Sequence, residues 1–160
     1  MPHKITPSKQ KFGVAKRAAQ ELLKIYGNNL KAVFVAGSVA SNMALPKSDI
    51  DIGFIFGKNC PTVVRGFEIQ EDLRRKLGIE ISPSFYSKIK FERDASWRYH
   101  VMGIIPVFDR QDYLKGIISR HGLAPNMEFI KARYSGIKSK LKRRTSFKRS
   151  IAGRKRFLPR

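Results

Sequence analysis

Two aspartates, Asp49 and Asp51, are separated by one isoleucine within an otherwise apolar run, VFVAGSVASNMALPKSDIDIGFIF at residues 33–56. Successive side chains of a β-strand point to opposite faces, so the two carboxylates share one face while Ile50 and Ile52 line the other. Two like charges on one face repel each other and are costly to desolvate, and a divalent cation is the usual compensator. The pattern therefore predicts a metal site on this strand.

A glycine and a serine, Gly37 and Ser38, follow the preceding apolar run and precede the aspartates by ten intervening residues. At a turn from strand into helix, such a pair lets backbone amides and a hydroxyl approach a phosphate closely. We add Lys47 and Ser48, directly before Asp49, to the phosphate-binding candidates. Phosphoryl or nucleotidyl transfer needs both a phosphate-binding turn and metal-binding carboxylates, which neutralise and align the reacting groups.

Three apolar runs frame this candidate site as strands. LKAVFVAG leads to Gly37, DIDIGFIFG carries the aspartates, and IEISPSF follows them. A shorter strand is predicted in IIPVF, at an edge of the sheet because Pro106 has no backbone N–H to donate. Helical segments lie between these runs. We therefore predict strands and helices that alternate around a mixed or parallel sheet.

The helices are predicted from apolar spacing and from their end residues. Residues 6–27 and 61–78 each have a threonine near the start and a glycine at the end. We expect the second of these helices to bury Val63, Phe67 and Leu77. The remaining predicted helices are ERDASWRYHVMG, a segment capped by Asp109 that ends at Gly122, and a basic helix capped by Asn126.

Positive charge is concentrated at the C-terminal end. The chain has 33 Lys and Arg against 12 Asp and Glu, a net charge of +21, and residues 131–160 contain 13 basic and no acidic residues. This favours nucleic acid as a partner over an anionic membrane or an acidic protein, the alternative being a solvated tail that only aids solubility. The candidate nucleic-acid contacts are Lys138, Lys140, Lys142, Arg143, Arg144, Lys148, Arg149, Arg154, Lys155 and Arg156.

Composition divides the chain into three predicted parts. Residues 1–122 contain the sheet and its helices. Residues 123–144 form a basic amphipathic helix, and residues 145–160 form a basic tail that we expect to be disordered until bound. No apolar run is long enough to span a membrane and no secretory signal is recognisable, so we expect a cytoplasmic protein without a membrane partner. Cys60 is the only cysteine, which excludes an internal disulfide and a multi-cysteine zinc site.

The segment GSVASNMALPKSDIDI resembles the signature of the DNA polymerase β-type nucleotidyltransferase superfamily, and the short chain resembles its minimal nucleotidyltransferases. The resemblance covers about residues 10–110 and makes residues 1–122 a nucleotidyltransferase-like domain. It implies an α/β (α+β) fold, a small mixed β-sheet flanked by helices. It implies that Gly37 and Ser38 bind nucleotide phosphates and that Asp49 and Asp51 bind Mg²⁺.

The resemblance also implies a third carboxylate, which in the superfamily usually comes from a following strand. Glu80 is the one acid in GIEISPSF, and strand alternation places it with Ser82 on the aspartate face, which we expect to be open. Glu80 is therefore predicted as the third metal ligand and as a catalytic group beside Asp49 and Asp51.

The turn departs from the superfamily pattern. Many relatives have Gly-Ser-Arg-Ala-Arg-Gly here, whereas this chain has Val39, Ala40, Ser41 and Asn42 after the Gly-Ser pair. With both arginines absent, binding of a nucleoside triphosphate is weaker, or is supported by Lys47 or by a basic residue elsewhere, or is lost.

The resemblance predicts a magnesium-dependent nucleotidyltransferase that moves a nucleoside monophosphate, AMP from ATP, to a hydroxyl on RNA or on a partner protein. The chain is too short for a templated polymerase, and its charge of +21 would repel an aminoglycoside. Related minimal enzymes often pair with a small helical HEPN ribonuclease toxin, so a HEPN-type partner is implied. The alternative is a catalytically decayed nucleotidyltransferase fold that acts as an RNA-binding protein.

Overall fold

The computed structural model describes residues 5–100, 102–132 and 135, and its contacts divide the chain into two units, residues 1–126 and 127–160. Within the first unit, two short 3₁₀ turns accompany four strands and five α-helices. These are α1 (Pro7–Tyr26), β1 (Leu30–Val35), α2 (Gly37–Ala40), β2 (Ile50–Phe56), α3 (Val63–Leu77), β3 (Ile81–Ser87), α4 (Lys88–Arg98), β4 (Ile105–Asp109) and α5 (Tyr113–His121). Every predicted strand is therefore confirmed.

The four strands form one mixed sheet in the order β3-β2-β1-β4. Strand β1 runs antiparallel to both β2 and β4, whereas β2 and β3 are parallel. The predicted mixed sheet is confirmed, and Pro106 lies on an edge strand, where a missing N–H is tolerated. The register places Asp51 directly opposite Ser82 on β3.

Both faces of the sheet are covered by helices. On one face, Val33, Ile52 and Phe54 belong to the core cluster that also contains buried residues of α1 and α3. On the other face, Phe34 and Ile55 belong to the cluster that contains buried residues of α4 and α5. The expectation that the aspartate face is open is therefore wrong over most of its length, because that face becomes apolar beyond Asp51.

The helix ends follow the sequence signals. The side chains of Thr6 and Thr62 each accept a hydrogen bond from a backbone N–H three residues later, and Gly78 ends α3 in the left-handed conformation. The carboxylate of Asp109 accepts hydrogen bonds from the N–H groups of Leu114 and Lys115 at the start of α5, at 2.7 and 2.8 Å. The predicted caps of these three helices are confirmed.

The buried face of α3 differs from the prediction. Val63 and Phe67 are 77% and 65% exposed, and the buried residues of α3 are Gly66, Ile69 and Leu73. This face begins at Gly66, where an added Cβ would lie 3.1 Å from the Phe85 ring, and continues through Ile69 and Leu73. The predicted Leu77 is partly buried against the same core, so the prediction followed Val63 and Phe67 where the buried spacing is that of Ile69 and Leu73.

Less of the second unit is described. Residues 127–132 are helical, as predicted after Asn126. The rest of the predicted apolar stripe, the basic tail and the candidate nucleic-acid contacts lie outside the described residues, and the three-part division of the chain stays a prediction. Within the described ranges, no helix has the length and apolar character needed to cross a membrane.

Candidate functional site

The turn at Gly37 is packed against the carboxylate of Asp51. Gly37 follows β1 with a φ of +57°, and a Cβ at this position would overlap an Asp51 carboxylate oxygen. The N–H of Ala36 donates to the backbone carbonyl of Asp51 at 2.9 Å, which holds the end of β1 beside β2. Only glycine allows both this conformation and this close approach.

Asp49 lies directly before β2 and is held by the neighbouring strand. The hydroxyl of Ser82 donates a hydrogen bond to Asp49 Oδ2 at 2.5 Å. Burial and the nearby charge of Asp49 raise the pKa of Asp51 above its ordinary value. The structure therefore brings the two predicted carboxylates together, and their repulsion is felt at Asp51.

The loop that carries Asp49 is fastened to α1 by two buried polar residues. Lys11, only 3% exposed, donates from Nζ to the carbonyl oxygens of Pro46 and Ser48 at 3.2 and 2.5 Å. Ser8 accepts a hydrogen bond from the N–H of Ala44 at 3.0 Å. Sequence reasoning missed both residues, although positions 8 and 11 extend the buried helical spacing of α1 toward its start.

The other predicted phosphate-binding residues have different surroundings. Ser38 is half-buried beside Gly37, and its carbonyl accepts a hydrogen bond from the Met43 N–H at 2.8 Å. Lys47 is exposed on the loop. Ser48 uses its hydroxyl to accept from the Leu45 N–H at 3.0 Å, so this side chain closes a turn. Their roles in nucleotide binding stay predictions.

Glu80 is not brought to the aspartates as a third ligand. Its side chain is 68% exposed, and its carboxylate lies 3.8 Å from the guanidinium of Arg74 on α3. Throughout the part of the chain that the structure describes, no group of three His, Cys, Asp or Glu side chains is arranged to hold a metal. The position opposite Asp51 on β3 is occupied by Ser82, so the proposed role of Glu80 has no geometric support.

A cavity of about 250 Å³ opens beside Asp51. Its lining includes Gly37, Ser82 and two residues that sequence reasoning did not assign to the site, Arg98 and Tyr99 at the end of α4. No motif links these residues to the Gly-Ser turn, and only the packing of α4 over the sheet brings them together.

The donors at this end of the sheet suit a hard divalent cation. Asp49 and Asp51 offer carboxylate oxygens, and Ser82 offers a hydroxyl. Mg²⁺ is commonly held by one or two carboxylates and completes its coordination with water and substrate phosphates. The residues therefore fit a magnesium ion that completes its coordination with other ligands.

The chain matches a known domain family, and its fold is similar to that of solved structures. The family model described as nucleotidyltransferase domain matches residues 15–158. A search of curated proteins finds no significant match. A toxin–antitoxin crystal structure with AMP-PNP matches with a TM-score of 0.50 and 15% identity, covering 79% of this chain and 98% of that chain.

Two further solved structures are similar. The toxin–antitoxin MntA-HpeT gives a TM-score of 0.50 at 12% identity, covering 79% of this chain and 98% of that chain. That structure is a variant in which two aspartates, two positions apart, are changed to glutamate. A tri-AMPylated Shewanella oneidensis HEPN toxin in complex with MNT antitoxin gives 0.47 at 11% identity, covering 82% and 98%.

Proposed function

The chain belongs to the nucleotidyltransferase domain family, and from this premise we propose that it moves a nucleoside monophosphate, AMP from ATP, to a hydroxyl on RNA or on a partner protein. The observation that carries the proposal is the contact between the Gly37 turn and the Asp51 carboxylate, with Asp49 beside it. This contact joins a phosphate-binding backbone to a cation-binding pair.

Asp49 and Asp51 would hold Mg²⁺, which when bound neutralises the triphosphate and favours departure of pyrophosphate. The chain's own residues orient this pair. Ser82 fixes the Asp49 carboxylate, and Lys11 fixes the loop before it. The backbone at Gly37 would bind phosphate oxygens, because a glycine with a positive φ lets a ligand approach the main chain closely.

The acceptor is proposed from two features. The fold is similar to that of toxin–antitoxin complexes, one with AMP-PNP, which supports a nucleotide substrate and a protein partner. A HEPN-type toxin is the partner that the superfamily resemblance of residues 37–52 implies. The 13 basic residues of positions 131–160 support RNA as an acceptor or partner. In either case, the acceptor hydroxyl loses its proton to solvent water as its oxygen bonds to the α-phosphorus. The bond from that phosphorus to the bridging oxygen breaks, and pyrophosphate leaves.

The test uses the purified full chain with magnesium and each nucleoside triphosphate, labelled in turn at the α- and the γ-phosphate. Cell RNA and cell protein are supplied separately as acceptors. We expect α-label, and not γ-label, to enter one acceptor class, with ATP as the preferred donor and release of pyrophosphate. Transfer of γ-label would indicate phosphoryl transfer, and no transfer from any nucleotide to either acceptor would contradict the enzymatic proposal.

The second candidate is an RNA-binding protein with a decayed transferase fold. The position of Glu80 beside Arg74 favours this candidate, because Glu80 does not join Asp49 and Asp51 as the predicted third carboxylate. This candidate requires RNA binding to be independent of Asp49 and Asp51. Equal RNA affinity of the wild type and the Asp49→Asn/Asp51→Asn variant, together with absent transfer by the wild type, would support it.

A further inference from the structure

The cavity beside Asp51 has one source of positive charge among its described lining residues, Arg98. The turn at Gly37 itself contributes none, because Val39, Ala40, Ser41 and Asn42 follow the Gly-Ser pair. A triphosphate that entered this cavity would meet the carboxylate of Asp51, and its charge requires cationic partners in addition to a metal ion.

Arg98 is held at the cavity by aromatic rings. It is the last residue of α4, and its guanidinium carbon lies 6.0 Å from the ring centroid of Tyr86 and 5.9 Å from that of Tyr99. The two rings are themselves fixed, because their hydroxyl oxygens are hydrogen-bonded at 2.6 Å and Tyr86 is 2% exposed. The guanidinium of Arg98 therefore lies beside the rings of two tyrosines that are hydrogen-bonded to each other.

The guanidinium of Arg98 forms no ion pair with any residue of the described part of the chain, whereas Arg93 on the same helix contacts Asp94 at 3.0 Å. Asp51 is the one acidic residue among the described lining residues of the cavity, and it is not paired with Arg98. A supported arginine without an anionic partner, beside a nucleotide site, is available to bind an anion.

From this arrangement we infer that Arg98 binds the phosphates of the nucleoside triphosphate and supplies the charge that the turn after Gly37 lacks. The inference rests on the proposed function. The planar guanidinium can bind two phosphate oxygens at once. The cavity of about 250 Å³ has room for phosphate groups beside Arg98.

The test is a calorimetric titration of the full chain, in magnesium, with ATP, inorganic tripolyphosphate and AMP. Arg98→Met keeps an unbranched side chain that can pack on the tyrosines but removes the charge. Arg98→Lys keeps the charge but lacks the planar guanidinium that binds two oxygens at once. Arg93→Met is the matched control on α4. We expect Arg98→Met to weaken ATP and tripolyphosphate binding by about tenfold or more and AMP binding by less. Arg98→Lys should recover part of the loss, and Arg93→Met should bind as the wild type does.

The outcomes separate this inference from the proposed function. If the wild type binds ATP and Arg98→Met binds it equally well, the role of Arg98 is overturned while the nucleotide site stands. If all three ligands weaken alike and the melting temperature falls, Arg98 is a packing residue. If the wild type binds neither ATP nor tripolyphosphate, the nucleotide site and the role of Arg98 fall together.

Discussion

Asp49 and Glu80 occupy equivalent places on two parallel neighbouring strands, each one residue before its strand begins. Asp49 accepts a hydrogen bond from Ser82, and its loop is tied to α1 by the buried Lys11. Glu80 is 68% exposed and faces Arg74 on α3. The strand register places the two acids at equivalent positions, but the neighbours of each side chain determine which carboxylate joins the site.

The largest expected effect is at the aspartate pair. Asp49→Asn or Asp51→Asn should lower transfer by about 1,000-fold or more, because each removes a charge needed to hold the metal beside the phosphates. Folding should persist, with the free energy of unfolding unchanged or raised by up to about 1 kcal/mol as repulsion is relieved. Transfer assays measure the first effect and thermal melts the second. Unchanged transfer in the double variant would contradict the assignment of the aspartate pair.

A smaller loss is expected when the turn beside Asp51 is changed. Gly37→Ala puts a Cβ where the Asp51 carboxylate lies, so the carboxylate must move and transfer should fall by about 100-fold. The matched control is Gly78→Ala, since Gly78 also has a positive φ but no atom within 4 Å of an added Cβ. Each change should cost about 1–2 kcal/mol of stability for the left-handed conformation, and only the first should affect activity. Equal activity in the two variants would refute the role of the contact.

The strands and the Asp49–Asp51 pair could be predicted because they depend on local spacing, whereas the mixed sheet was implied by the family resemblance. Alternation fixes which face a strand residue occupies, and threonine and glycine mark helix ends at α1 and α3. Arg98 and Lys11 could not be predicted, because their roles depend on which helix packs where on the sheet. Glu80 shows the same limit, since alternation gave its face but not its pairing with Arg74.

The attachment of the Asp49 loop can be weakened without touching the site. Lys11→Met keeps the buried stem but leaves the Pro46 and Ser48 carbonyls without their donor, so transfer should fall by about tenfold as the loop shifts. Lys9→Met, at an exposed position of the same helix, is the control. Hydrogen exchange of the amides at residues 44–49 should become faster only in Lys11→Met. Unaltered exchange there would show that Lys11 does not hold the loop.

The pH dependence should report the raised pKa of Asp51. Because the folded state binds a proton at Asp51 more readily than the unfolded state does, Asp51 favours unfolding at neutral pH, and this cost is lost as pH falls through its folded pKa. Magnesium-dependent nucleotide binding needs the ionised form, so it should weaken at a higher pH than an ordinary aspartate would dictate. Titrations of nucleotide binding from pH 7 to pH 3 test this. A midpoint at the ordinary aspartate value of 3.8 would argue against the coupling.

The smallest effect is expected at Glu80. Since Glu80 is mostly exposed and is paired with Arg74, Glu80→Gln should change turnover by no more than about threefold. Glu71→Gln is a matched control, because Glu71 is the other acid on Arg74, at 2.8 Å. A loss of about 100-fold in Glu80→Gln alone, the scale of a missing acid–base group, would restore Glu80 as the third catalytic carboxylate.

The most direct test is a calorimetric titration with ATP, in the presence of magnesium, of the wild type, Asp51→Asn and Glu80→Gln. If the Asp49–Asp51 pair builds the site, the wild type binds, Asp51→Asn weakens binding by about 30-fold or more, and Glu80→Gln stays within about threefold of the wild type. Full binding by Asp51→Asn, or a loss confined to Glu80→Gln, would contradict the account.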